Sequence, residues 1–247
     1  MVKVSVERGR HDGIVTSGER RRNLDGDPTP GDGHDMRRNP ASRTAIGVVL
    51  FCVFGLSCAS GVDERAKALE QAEFHYGLAS GFYSENELNR AVGELATALE
   101  KNPDHANAHH LMAVVRMARR EFYDAMSHAK KAVELKPDFH EARHNLGASY
   151  LALCRWEDAV SLYTELVEEP RYSTPWFAHN NLGWALWQLD RRSDAIRHFK
   201  RAVFFNPKLC LGFNNLGIAF LEEGRYDDAA RQLEKALSVD ETCKAGY

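Results

Sequence analysis

The sequence predicts an all-α fold: a solenoid of stacked helix hairpins. Three observations predict it. Ala91, Ala125, Ala159, Ala195 and Ala229 recur at steps of 34, 34, 36 and 34 residues. Between them, apolar residues return at i, i+3, i+4 and i+7, so each half-interval reads as an amphipathic helix. No segment alternates apolar and polar side chains in the manner of a half-buried strand.

Units set at 72–105, 106–139, 140–175, 176–209 and 210–243 align in columns. Place seven holds Leu78, Met112, Leu146, Leu182 and Leu216, and place eleven holds Phe82, Arg116, Tyr150, Leu186 and Phe220. Place eight is always small: Ala79, Ala113, Gly147, Gly183 and Gly217. The alanine series is place twenty. Small side chains at both places let two helix axes approach to about 8–10 Å. Larger residues at place twenty-four (Leu95, Ala129, Tyr163, Phe199, Leu233) fill the seam. Pro103, Pro137 and Pro207 at place thirty-two end the second helix, because the ring disfavours a helical residue before it and cannot donate a backbone bond. Arg171 and Glu241 stand there instead in units three and five, and the third junction is two residues longer.

These columns, with the segments NLGASY, NLGWAL and NNLGIAF, resemble the tetratricopeptide repeat over residues 72–243. The resemblance implies a right-handed superhelix of helix hairpins. Its inner surface is lined by places two, five, nine and twelve of each first helix, which fall on one side. On that surface unit four offers Phe177, Asn180, Trp184 and Trp187, and unit five offers Leu211, Asn214, Ile218 and Leu221. Aromatics in a groove mark binding hot spots. The same rings also serve as core residues, and the sequence leaves both readings open for Trp184 and Trp187. Asn180 and Asn214, one repeat apart, are candidates to clamp a peptide backbone. Asn145, Asn181 and Asn215 belong to the repeat pattern and are expected to be structural. Place five carries no Lys or Arg, so an acidic C-terminal peptide is a poor guest, and an extended or amphipathic apolar segment a better one.

The front of the chain is organised differently. Residues 1–35 are rich in Gly, Asp and Arg without apolar periodicity, and read as disordered or as an extension outside the protein proper. Residues 36–57 read as a lipoprotein signal peptide. Arg37, Arg38 and Arg43 form a positive region ahead of the apolar run 45–56, which is too short for the ~20 residues of a membrane span. The segment GLSC resembles a bacterial lipobox with Cys58 as the lipidation site. Residues 58–71 then hold the lipidated cysteine, a short linker and the start of the first helix. Residues 244–247 read as the start of a truncated sixth unit.

Composition narrows the function classes. The formal net charge is −3, and no helix face is strongly basic, which argues against nucleic acid. No glycine-rich phosphate loop follows a strand. Cys154, Cys210 and Cys243 read as packing residues, with Cys210 and Cys243 too far apart to bridge across opposite ends of one repeat. His75, His109 and His179 all occupy place four, a packing column that accounts for them without a metal. No serine, histidine or carboxylate set stands out for catalysis. The expectation is therefore a non-enzyme with no metal, no cofactor and no small-molecule substrate.

A lipobox followed at once by tandem repeats is similar to the type IV pilus pilotin lipoproteins, the PilF/PilW/Tgl group. The junction EEPRYSTPWFAHNNLG, with Tyr172 ahead of Asn181, adds to the likeness. That resemblance implies a lipid-anchored scaffold on the periplasmic face of the bacterial outer membrane. It would bind a secretin subunit and promote its localisation and assembly. Phe177, Asn180, Trp184, Trp187, Asn214, Ile218 and Leu221 are the expected partner contacts. The alternative is a generic envelope scaffold serving outer-membrane protein assembly or peptidoglycan enzymes.

Overall fold

The computed structural model describes residues 52–239, with side chains described from residue 63. The expected N-terminal extension, most of the signal segment, Cys243 and residues 244–247 lie outside the described residues. The chain divides into two compact units, Arg10–Ala66 and Lys67–Tyr247 together with Met1–Gly9, each taken by itself. Of the first, the described part is the opening of helix α1 (Cys52–Ser84), which contains Cys58 ahead of the described side chains. Among the described residues no helix is long and apolar enough to cross a membrane.

The described part of the second unit is all-helical. After α1 come α2 (Leu88–Lys101), α3 (Ala106–Ala118), α4 (Phe122–Leu135), α5 (His140–Ala152), α6 (Trp156–Val167), α7 (Pro175–Gln188), α8 (Arg192–Phe205), α9 (Cys210–Glu222) and α10 (Tyr226–Val239). Successive helices pack on each other from α2 to α10, and the first helices α3, α5, α7 and α9 also touch in series. This is the tetratricopeptide-repeat solenoid that the small-residue columns predict.

The closest packing inside a hairpin lies where place eight meets place twenty-four. A Cβ added to Gly147 would fall 2.6 Å from the Tyr163 ring, one on Gly183 would fall 2.7 Å from the Phe199 ring, and one on Gly217 would fall 2.7 Å from Leu233. Ala91, Ala125, Ala159 and Ala195 are fully buried beside these contacts, and Ala229 nearly so. Glycine is thus a steric requirement of the ring opposite.

Every hairpin turn has the same geometry, and the sequence shows this only once. Place fifteen is left-handed in all five units: Asn86, Arg120, Cys154, Asp190 and Gly224 have φ between 57° and 74°. The amide of place sixteen donates to the carbonyl of place eleven, as in Arg155 to Tyr150 (2.9 Å) and Arg225 to Phe220 (2.9 Å). The amide of place fifteen donates to place twelve, as in Cys154 to Leu151 (3.1 Å). This double closure is a Schellman motif, which satisfies two carbonyls at the helix end. Only Gly224 is the residue type that the motif ordinarily selects. The other four hold a conformation that disfavours a Cβ by roughly 1–2 kcal/mol, against the packing of two whole helices.

The cysteine expectations need correcting. Cys154 is an exposed free thiol in the third turn rather than a packing residue. Cys210 is disulfide-bonded.

Gly183→Ala is expected to lower the unfolding free energy by about 1–3 kcal/mol, as overpacking does in a closely packed core. The Phe199 ring and the Ala195 carbonyl, 3.1 Å from the added Cβ, leave it no room. Urea denaturation followed by circular dichroism measures the loss.

Candidate functional site

The first-helix face is stitched together by side-chain amides. Asn145 Nδ2 lies 2.9 Å from His110 Nε2 in the preceding unit, and Asn215 Nδ2 donates to Asn180 Oδ1 at 2.9 Å. Place six of one unit therefore bonds place five of the unit before. Asn145, Asn181 and Asn215 are all buried, in keeping with the structural role the pattern assigns them.

The joint between units three and four carries further bonds. Asn181 Nδ2 donates to the Tyr163 hydroxyl at 2.9 Å, and that hydroxyl donates to the His144 carbonyl at 2.9 Å. The His144 ring is fully buried, with its Nδ1 2.9 Å from the Tyr172 hydroxyl. Tyr172, in the longer junction after α6, is itself buried. The longer junction thus reaches in to the place-five histidine through Tyr172, and Asn181 bonds a tyrosine.

These bonds decide which expected contact residues are accessible. Asn180 is 1% exposed, with its amide engaged by Asn215 and by Asn181 at 3.4 Å, so it is not free to clamp a guest backbone. Trp187 is 8% exposed and belongs to the largest core cluster, which resolves its two readings in favour of core. The Arg192 guanidinium covers its outer side 4.1 Å from the ring centroid, held there by Asp190 and Glu222 at 2.8 Å each. Phe177, Trp184, Asn214 and Ile218 are half-buried, and Leu221 is 49% exposed. Trp184, Ile218 and Asn215 border a pinched cleft with about 10 Å³ of free space, room for roughly one water. The accessible face of units four and five is thus an aromatic and aliphatic strip with the amide of Asn214, which bonds no side chain among the described residues.

A second set of polar contacts links the two helices of a hairpin. Place four meets place twenty-three in three units: His75 Nδ1 with Glu94 (2.6 Å), His109 Nδ1 with His128 Nδ1 (2.9 Å) and His179 Nδ1 with His198 Nδ1 (3.0 Å). The sequence reading noted the place-four histidines but missed their partners. A spacing of nineteen residues, repeated three times, is the signal that would have found them. His109 Nε2 lies 2.9 Å from the Pro103 carbonyl, which only accepts, so Nε2 bears the hydrogen. In neutral His109, Nδ1 is then the acceptor and His128 the donor. Burial, reinforced by His109, pushes His128 down to about 4. Burial, with His198 beside it, pushes His179 down to about 4. Burial with Arg197 and Arg201 does the same to His198. Among the described residues no group of three or more His, Cys, Asp or Glu side chains is placed to hold a metal.

A stack of helix hairpins offering one long apolar, amide-bearing face defines an interaction scaffold, a class that is generally non-catalytic. The profile described as "Tetratricopeptide repeat" matches residues 76–138 and 144–209, and a second of the same description matches 210–243. The chain belongs to the tetratricopeptide repeat family. It is 32% identical to heat shock protein STI1 of Saccharomyces cerevisiae over 91 residues, which is 36% of this chain and 15% of that protein. It therefore spans a small part of the curated relative it matches. The crystal structure of PilW, described as a widely conserved type IV pilus biogenesis factor, superposes with a TM-score of 0.64 at 21% identity, covering 68% of this chain and 77% of that one. PilF of Pseudomonas aeruginosa superposes with a TM-score of 0.63 at 21% identity, covering 70% and 78%. At these identities the shared property is the fold.

Two predictions follow from the polar contacts. Tyr172→Phe removes the hydroxyl that meets buried His144, with an expected cost of about 1–3 kcal/mol in chemical denaturation. The second concerns pH. The paired histidines bind protons more weakly folded than unfolded, so the unfolded state takes up more protons as pH falls through about 6.5 toward 4. Thermal stability is expected to be flat above neutrality and to decline through that window. Replacing His128 and His198 with Gln should flatten the decline in a series of thermal melts.

Proposed function

We propose that this chain is a lipid-anchored scaffold of the bacterial outer membrane. It binds a secretin subunit and promotes the subunit's localisation and assembly in type IV pilus biogenesis. The observation that carries the reading is the common architecture with PilW and PilF over two thirds of the chain or more. The lipobox-like segment ending at Cys58 supports the anchor, and with it the periplasmic face of the outer membrane as the site of action.

The guest lies along the first-helix face of units four and five. Trp184, Ile218 and Leu221 supply its apolar contact, Phe177 extends the strip toward α5, and Asn214 offers an amide to the guest backbone. Asn180 and Trp187 act one layer below, holding that surface in shape. Binding is the activity, with no bond chemistry required of the chain.

Ile218→Asp combined with Leu221→Asp places two charges on the half-exposed strip. This variant is expected to weaken capture of purified secretin by at least about tenfold, the scale of hot-spot losses, with an unchanged circular dichroism spectrum. Cys58→Ala should abolish incorporation of labelled fatty acid and release the protein from the envelope. Secretin multimers that persist unaltered in a deletion strain would refute the reading.

A further inference from the structure

Units four and five carry a second recessed surface, on a different side of α9. The first-helix face uses Asn214, Ile218 and Leu221. The other surface uses Phe213, Leu216 and Phe220, at places four, seven and eleven, together with residues of α8 and α10. They form a trough of about 710 Å³. Val203, Phe213 and Phe220 contribute its apolar floor, and Lys200, Phe204 and Lys235 stand on its rim. Phe204 is 78% exposed, the most exposed large apolar side chain among the described residues. On its far side lies a second depression of about 520 Å³, bordered by Ile196 and Arg201. Phe204 therefore stands as a fin between two recesses.

The charges around it divide into two groups. Five arginines of this region are matched by carboxylates: Arg191 and Arg197 by Asp194, Arg192 by Asp190 and Glu222, and Arg225 and Arg231 by Asp228. Lys200, Arg201, Lys208 and Lys235 take part in no ion pair among the described residues. Two of them lean over the aromatic floor. The Lys200 ammonium is 5.6 Å from the Phe220 ring centroid and the Lys235 ammonium 5.8 Å from that of Phe213. At such distances the rings attract the cations weakly. The ammonium groups remain available to a stronger anionic partner.

We infer that this trough docks an acidic polypeptide segment bearing an aromatic or aliphatic anchor side chain, separate from the guest of the first-helix face. The unmatched cations call for carboxylates, and the recessed floor calls for an apolar side chain inserted from outside. A flat anionic bilayer would meet the rim and Phe204 but could not fill the floor. A chain can do both, laying its anchor against one side of the Phe204 ring and its acids on Lys200, Arg201 and Lys235. The scaffold then holds two different segments at once, one on each side of units four and five. This inference stands apart from the secretin reading.

The test measures fluorescence anisotropy of a fluorescein-labelled peptide of alternating Asp-Glu and Leu-Phe pairs titrated with the full chain. An isosteric Asn-Gln peptide and phosphatidylglycerol vesicles are run in parallel. The acidic peptide should bind and weaken with added salt, since screening shortens the reach of exposed charges to about 10 Å at 0.1 M. The double variant K200E/K235E should weaken it at least about tenfold. Phe204→Ser should weaken it without changing the salt dependence, and Ile218→Asp should leave it intact. All of these sites are exposed or half-exposed, and circular dichroism checks that each variant folds. Equal binding of the Asn-Gln peptide, or indifference to both K200E/K235E and Phe204→Ser, would overturn the inference. So would loss of binding in Ile218→Asp, or vesicle binding that depends on these lysines while the peptide fails to bind. Secretin capture lost in Ile218→Asp but kept in K200E/K235E separates the two surfaces.

Discussion

The array depends on the close approach of two helices inside each hairpin. Where Gly147, Gly183 and Gly217 face Tyr163, Phe199 and Leu233, the space for a β-carbon has been given to the opposite side chain. Buried alanines at place twenty keep the same seam narrow. This contact sets the angle at which one hairpin presents itself to the next. The turn conforms to it: Asn86, Arg120, Cys154 and Asp190 accept a left-handed backbone so that the helices can close. Local preference yields here to packing, which is the larger effect.

Apolar packing brings the hairpins together, and amides set their register. A hydrophobic seam tolerates sliding, whereas a buried amide has one partner at one distance. The Asn145–His110 and Asn215–Asn180 bonds tie units three and five to the units before them. At the third joint the longer junction inserts Tyr172, which meets His144, while Asn181 bonds Tyr163. The longer junction is thus built into the core.

Most of the fold was legible in the sequence because a solenoid repeats its constraints. One column read five times separates steric need from accident. What stayed hidden were the contacts between columns. Asn180 looked like an open amide because its partner Asn215 lies thirty-five residues on. Trp187 looked like a groove residue because nothing local showed Arg192 folding over it. The second member of each histidine pair sits at the edge of its helix's buried face, His128 beside buried Ala125 and Ala132 and His198 beside buried Ala195 and Ala202, so periodicity alone did not mark a polar partner there. Trp184 and Ile218 at place nine are half-buried and Leu221 at place twelve is exposed, whereas Trp187 at place twelve of unit four is buried.

The core is unevenly distributed. One continuous cluster runs from Leu151 through Ala229 and joins units three, four and five, whereas units one and two are held by smaller, separate groups. Neighbour-to-neighbour coupling governs how a one-dimensional stack comes apart. Fraying therefore starts in the leading repeats and stops at the tyrosine-lined joint. Amide hydrogens of α7 and α9 are then expected to exchange with solvent last, which puts the proposed guest surface on the half that stays folded longest.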